Sequence, residues 1–205
     1  MTHLPNITRR NFLASSLLIL PQPHLQGTLY ALENFAVTRE LEATPSCGQA
    51  DGATPQQTAG PFFKPRSPNR KSLLELGIPG SRIILEGVVR SSKCIAIAGA
   101  LVDFWQADGN GSYDNAGFRL RGHQFADAAG RYRLATIVPG VYPGRTRHFH
   151  VRVQAPNRQV LTTQLYFPGE PENKRDFIFN PKLVIALGGS AGAKTASFDF
   201  VLDVG

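Results

Sequence analysis

Arg147-His148-Phe149-His150-Val151-Arg152-Val153 is the stretch on which the reading of this chain turns. On a strand, successive side chains point to opposite faces, so His148 and His150 share one face while Phe149, Val151 and Val153 fill the other. Such a pair either aims two imidazole nitrogens at one metal ion or decorates a solvated face. Outward from it, short runs rich in β-branched and aromatic residues alternate with turn sequences. The candidate strands are Arg82–Arg90, Gly99–Ala107, Gly130–Thr136, Arg147–Ala155, Val160–Phe167 and Ser197–Val204. Between them stand Asp108-Gly109-Asn110-Gly111, Asp127-Ala128-Ala129-Gly130, Pro139-Gly140 and Pro156-Asn157, all good turn chemistry. No long helical segment or internal repeat interrupts this pattern, and Glu172–Phe177 is expected to form one helical turn. The pattern predicts an all-β fold, a single antiparallel β-sandwich with long loops.

A tyrosine and an arginine lie near the histidine pair in sequence, and a second tyrosine stands further upstream. Tyr142 stands six residues before His148, and the intervening loop is short enough to bring its phenol back toward the same point. Tyr113 follows the turn Asp108–Gly111 at the end of the run carrying Trp105. By itself it reads as an ordinary rim aromatic. Arg145 stands three residues before His148, and Gln164 lies in the next candidate strand.

Several ordered motifs together carry a family resemblance. They are Thr58-Ala59-Gly60-Pro61-Phe62-Phe63, the run Gly99 to Asp108 followed by Gly111-Ser112-Tyr113, Asp127 to Tyr132, Pro139-Gly140-Val141-Tyr142-Pro143, Arg145 to His150, and Thr163 to Phe167. This series resembles the intradiol ring-cleavage dioxygenases, the family of protocatechuate 3,4-dioxygenase and catechol 1,2-dioxygenase. It runs in order from about Thr58 to the C-terminus.

The resemblance implies a non-haem Fe(III) site with Tyr113, Tyr142, His148 and His150 as ligands. Phenolate oxygens are hard anionic donors that favour Fe(III), and two neutral imidazoles leave room for solvent or substrate. It further implies a catechol-type substrate and O2, cleavage between the two hydroxylated carbons, and a muconate-type diacid as product. Tyr142 would accept a substrate proton, Arg145 would stabilise the anionic substrate, and Gln164 would hydrogen-bond near the ring. Arg147 and Arg152 are expected to be structural, and Trp105 to belong to the core. The sequence departs from the family in the short loop Pro143-Gly144-Arg145-Thr146-Arg147, which predicts a more open or reshaped substrate pocket. It also lacks the long helical N-terminal region through which catechol 1,2-dioxygenases dimerise. A protocatechuate-type arrangement is therefore favoured, with a homo-oligomer as an open possibility, and the full ligand set argues against a non-catalytic companion subunit.

Two other readings compete. A metal-free, transthyretin-like β-sandwich binding module shares the strand pattern but has no use for the Tyr, Tyr, His-x-His set. A zinc hydrolase using His148 and His150 would want a carboxylate as general base, and none lies between Tyr142 and His150.

The rest of the chain sets context. At 205 residues it suits one domain with a leader, and its net charge of +7 is scattered rather than gathered into a basic face. Nucleic acid is therefore not an expected partner. Arg9-Arg10 precede an apolar run from Leu13 to Leu20, closed by Pro21 and far shorter than a membrane span. The sequence predicts a twin-arginine signal over residues 1–30, a linker over 31–57, the sandwich over 58–205, and export to the periplasm or beyond with no membrane anchor in the mature form. In an oxidising compartment Cys47 and Cys94 either pair or remain buried thiols.

Overall fold

The computed structural model describes residues 52–189 and 194–204. The expected signal segment, most of the expected linker and Cys47 lie outside them. Among the described residues nine strands form two sheets: β1 (Arg82–Ser91), β2 (Leu101–Trp105), β3 (Arg121–Phe125), β4 (Arg131–Ile137), β5 (His148–Gln154), β6 (Val160–Tyr166), β7 (Ala186–Gly188), β8 (Lys194–Ser197) and β9 (Phe200–Leu202). One sheet has the order β3-β2-β5-β6 and is antiparallel throughout. The other runs β4-β1-β8-β7, with β9 also paired to β1.

The β-sandwich matches the sequence expectation, with one correction to strand direction. β8 and β9 both run parallel to β1. The run Ser197–Val204 is not one strand, because the chain breaks at Phe198–Asp199. There the Asp199 carboxylate accepts the Val88 N–H at 2.8 Å, taking the place of a ladder partner. β3, β7 and β8 escape sequence reading. β3 (RGHQF) has no apolar alternation and is a strand because it pairs with β2. The expected helical turn is a 3-10 turn at Pro171–Lys174, opening on proline, whose missing N–H costs nothing at that position.

The inner faces meet in a core of Ile83, Leu85 and Val89 from β1, Val102 and Phe104 from β2, Leu134 from β4, and Phe149, Val151 and Val153 from β5. Burying each such side chain contributes about 1.5–3 kcal/mol. β5 sits centrally between β2 and β6, so its odd face feeds this core. Its even face is covered too: His148 is 2% exposed and His150 0%. The solvated-face alternative for the pair is thereby excluded.

The chain just before the sandwich is docked onto it. Thr54 N–H bonds Val201 O at 2.9 Å, and Gln57 N–H bonds Thr162 O at 2.8 Å. The end of the segment expected to be linker thus crosses both sheets. Cys94 lies exposed in the turn after β1, not buried as one reading of it held. Among the described residues no helix is long and apolar enough to cross a membrane.

Candidate metal centre

The register of the β3-β2-β5-β6 sheet sets the site. Trp105 on β2, His150 on β5 and Gln164 on β6 form one row, with His148 opposite Tyr166 two residues further along on the same face. The two imidazoles converge: their Nε2 atoms are 3.1 Å apart. His148 Nδ1 lies 2.6 Å from the Thr146 carbonyl, which can only accept, so Nδ1 carries the proton and Nε2 presents its lone pair. Burial, then the Arg145 guanidinium, holds the His148 imidazole at about 4. Burial, then His148, likewise holds His150 well below its usual value. Both rings are neutral near pH 7, the state in which imidazole binds a metal.

The tyrosines come from loops. Tyr113 follows β2, and Tyr142 stands in the β4–β5 connection. That connection folds back tightly, with Arg145 N–H bonding Tyr142 O at 3.0 Å. The phenol rings are 5.8 Å apart between centroids; Tyr142 is 5.6 Å from His148 and Tyr113 6.1 Å from His150. Gly111 permits this approach. It has φ +82°, and a Cβ there would stand 2.2 Å from Val141 O, so a side chain would push the two tyrosine loops apart. The lead-in Thr58–Phe63 closes the other side. Phe62 stacks on Tyr113 at 4.3 Å, and Gly60, at φ +67°, would place a Cβ 3.3 Å from His150 Cε1. Trp105 is core, as expected, but one face of its ring stacks on His150 at 4.9 Å and 5°.

All six expected site residues are therefore brought together. Arg145 links the rest: Nη1 lies 3.3 Å from the Tyr142 hydroxyl, and Nη2 bonds Gln164 Oε1. Gln164 Nε2 in turn donates to Thr58 O at 3.0 Å, tying the lead-in to the site. Arg147 bonds Pro139 O at 2.7 Å and Glu170 at 3.1 Å, a structural role as expected. A cleft of about 360 Å³ opens beside Tyr142 and Arg145, lined also by Pro143, Gly144, Glu172 and Arg175.

Sequence reading missed Asp176. Its buried carboxylate accepts from Arg145 Nε at 2.9 Å and Thr146 N–H at 3.0 Å, which fixes the guanidinium against Tyr142 and Gln164. It also missed Tyr166, which burial raises to about 12 and whose hydroxyl stands 2.8 Å from Gln57 Oε1. The only sequence signal for Asp176 was an acidic residue near an expected helical turn.

A cation fits this arrangement. Among the described residues the Tyr113 hydroxyl is buried with no hydrogen-bond partner, and it lies on the side where the two imidazole Nε2 atoms converge. A buried polar group left so costs about 1–3 kcal/mol. Burial, then Tyr142, pushes the Tyr113 phenol well above its usual value, with Arg145 and Arg121 acting against the shift. Among the described residues no group of three or more His, Cys, Asp or Glu side chains could hold a metal. A metal here would depend on the phenols, which suits a hard ferric ion better than zinc.

Comparison with known proteins gives the family. A family model described as dioxygenase matches residues 58–204. The chain is 30% identical over 173 residues to catechol 1,2-dioxygenase 2 of Acinetobacter lwoffii, covering 72% of this chain and 62% of that one. It is 34% identical over 128 residues to the protocatechuate 3,4-dioxygenase beta chain of Burkholderia cepacia, covering 53% and 54%. It thus spans little more than half the length of these relatives. Among solved structures, the dioxygenase domain of a dioxygenase and carbohydrate-binding fusion protein from Streptomyces sp. SirexAA-E superposes with a TM-score of 0.72 at 53% identity, covering 75% of this chain and 99% of that domain. With the fold, the ordered motifs and the family match in agreement, the chain belongs to the intradiol ring-cleavage dioxygenases.

Proposed function

We propose that this protein is an Fe(III)-dependent dioxygenase that cleaves catechol-type rings between their two hydroxylated carbons. Tyr113, Tyr142, His148 and His150 would hold the ion. The observation that carries this reading is the convergence of two buried imidazole Nε2 atoms, 3.1 Å apart, with two phenols, one of which has no other partner. A metal-free binding module would leave that phenol buried at a cost and for no return. The relatives named for catechol and protocatechuate cleavage support the reaction class.

Ferric iron, when bound, supplies the Lewis acidity and redox access that make an electron-rich catecholate reactive toward O2. The protein's own groups supply the rest. Tyr142, held as a phenolate beside the cleft, would take up one substrate hydroxyl proton and become a neutral phenol as the diol binds as its anion. Arg145, held by Asp176, keeps a fixed positive charge beside the anionic ring and stabilises the charge that develops there. Gln164 is placed by Arg145 and Thr58 to hydrogen-bond near the ring. Phe62, Trp105 and the lead-in exclude water from the histidine side. Both atoms of O2 enter the diacid product, so no external reductant is needed.

The test is the visible spectrum of the purified protein. Loaded with Fe(III), it should be reddish-brown from tyrosinate-to-iron charge transfer, and catechol should shift the band while O2 is consumed and a muconate forms. A protein that stays colourless after ferric loading overturns the proposal.

We further propose that Arg9-Arg10 and the apolar run after them direct export by the twin-arginine route. Replacing both arginines by lysine should leave the protein in the cytoplasm, as read by cell fractionation. Unchanged export would rule this out.

A further inference from the structure

Arg121, at the start of β3, is 1% exposed, and none of the hydrogen bonds from its guanidinium goes to a carboxylate. Asp114 and Asp103 act on it only through space, and a buried charge held by no carboxylate contact needs a reason. All its hydrogen bonds go to backbone carbonyls: Nη1 to Phe62 O at 2.6 Å, and Nη2 and Nε to Asp114 O at 3.0 and 3.2 Å. Phe62 is the residue whose ring stacks on Tyr113, and Asp114 is the residue that follows Tyr113 in the chain. The two carbonyls belong to segments about fifty residues apart; Lys64 joins the same segments further from the phenol, through the carbonyls of Asn115, Ala116 and Gly117 at 3.3, 2.9 and 2.7 Å.

We propose that Arg121 is a positioning residue for Tyr113, clamping the lead-in and the loop after β2 so that the phenol ring is held between them. The planar guanidinium fork explains the choice of residue. It can hold two carbonyls on different segments at fixed angles, whereas a lysine ammonium on a flexible stem cannot fix both. The clamp matters because Tyr113 stands on a loop with no sheet ladder of its own, and the group nearest its hydroxyl, Tyr142, is itself borne on a loop. The consequence for catalysis rests on the proposed ferric site, but the clamp itself does not.

The test reads Tyr113 directly in the metal-free protein. With 3-fluorotyrosine replacing the five tyrosines, Tyr113→Phe identifies the Tyr113 fluorine resonance. Its position reports the Phe62 ring above it, and Phe62→Leu gives the shift expected when that stacking is lost. Arg121→Lys and Arg121→Gln should move the Tyr113 resonance toward the Phe62→Leu position or broaden it, with the Tyr132 resonance unmoved. In the ferric protein the same variants should shift the charge-transfer band and lower kcat by about tenfold or more, because small displacements of a reacting constellation are costly. A Tyr113 resonance that stays in place in both variants overturns the proposal. So does one that moves only along with every other tyrosine, or failure of both variants to fold, since Arg121 would then serve folding in general. If the wild-type protein takes up no iron, the ferric reading falls while the fluorine result still decides the clamp.

Discussion

The two histidines and the two tyrosines of the site are held by different physics. His148 and His150 stand on β5, with β2 and β6 hydrogen-bonded on either side and Phe149, Val151 and Val153 locked in the core behind them. Strand geometry aims both rings without further help, and the Thr146 carbonyl and Trp105 ring only refine them. Tyr113 and Tyr142 stand on loops and depend on borrowed supports. Arg121 and Phe62 hold the first, and Arg145 with Asp176 holds the side of the second. Half of the site is therefore positioned by the fold's main ladder, and half by single side chains that a point mutation can remove.

The largest effect should come from the strand side. His148→Ala should lose nearly all bound iron and activity while the sandwich melts normally, measured by metal analysis and thermal unfolding; retained iron would dissolve the distinction between ladder-held and loop-held residues. On the loop side, Tyr142→Phe should keep iron but lower kcat on the order of a hundredfold, because a proton acceptor is lost. A pre-steady-state trace should show slowed substrate deprotonation, and full activity would remove Tyr142 from proton transfer. Asp176→Asn sharpens the contrast. It keeps the shape but loosens the Arg145 anchor, so kcat/KM should fall about tenfold with iron content unchanged. An unchanged kcat/KM would mean that Arg145 needs no anchor.

The smallest effect concerns pH. The folded protein holds His148 at about 4, below the ordinary imidazole value near 6.5, so the unfolded chain binds the proton first as the solution is acidified. The contribution of His148 to the stability of the metal-free protein is fully present above that ordinary value and is lost as pH falls toward and through about 4. Urea unfolding at a series of pH values should show this slope, and it should flatten in His148→Gln. A slope that persists unchanged in the variant would assign it to other groups.

Legibility in the sequence follows the same division. The His148–Val153 alternation could be read because the strand period is local, and the turn sequences after Ala107 and before Tyr132 marked where strands had to end. β3 could not be read, since Arg121 to Phe125 lacks an apolar rhythm and becomes a strand only by pairing with β2. Ser197 to Val204 looked like one strand because nothing local says that Asp199 will turn aside to take the Val88 N–H. Asp176, more than thirty residues from Tyr142, gave no signal of its role, because an ion pair across that separation is created by the fold alone.

By itself, then, the sequence determined the β-sandwich, the face shared by His148 and His150 and, through its ordered motifs, the candidate ligand set. Those rest on periodicity and short-range spacing, which survive without tertiary contacts. Only the tertiary structure decided that the histidine face is buried, that Tyr113 meets Phe62 and Tyr142, and that Arg121, Arg145 and Asp176 hold the loop-borne phenols. Each of those depends on segments distant in the chain being brought within hydrogen-bond or ring-contact distance, and no local pattern encodes such a meeting.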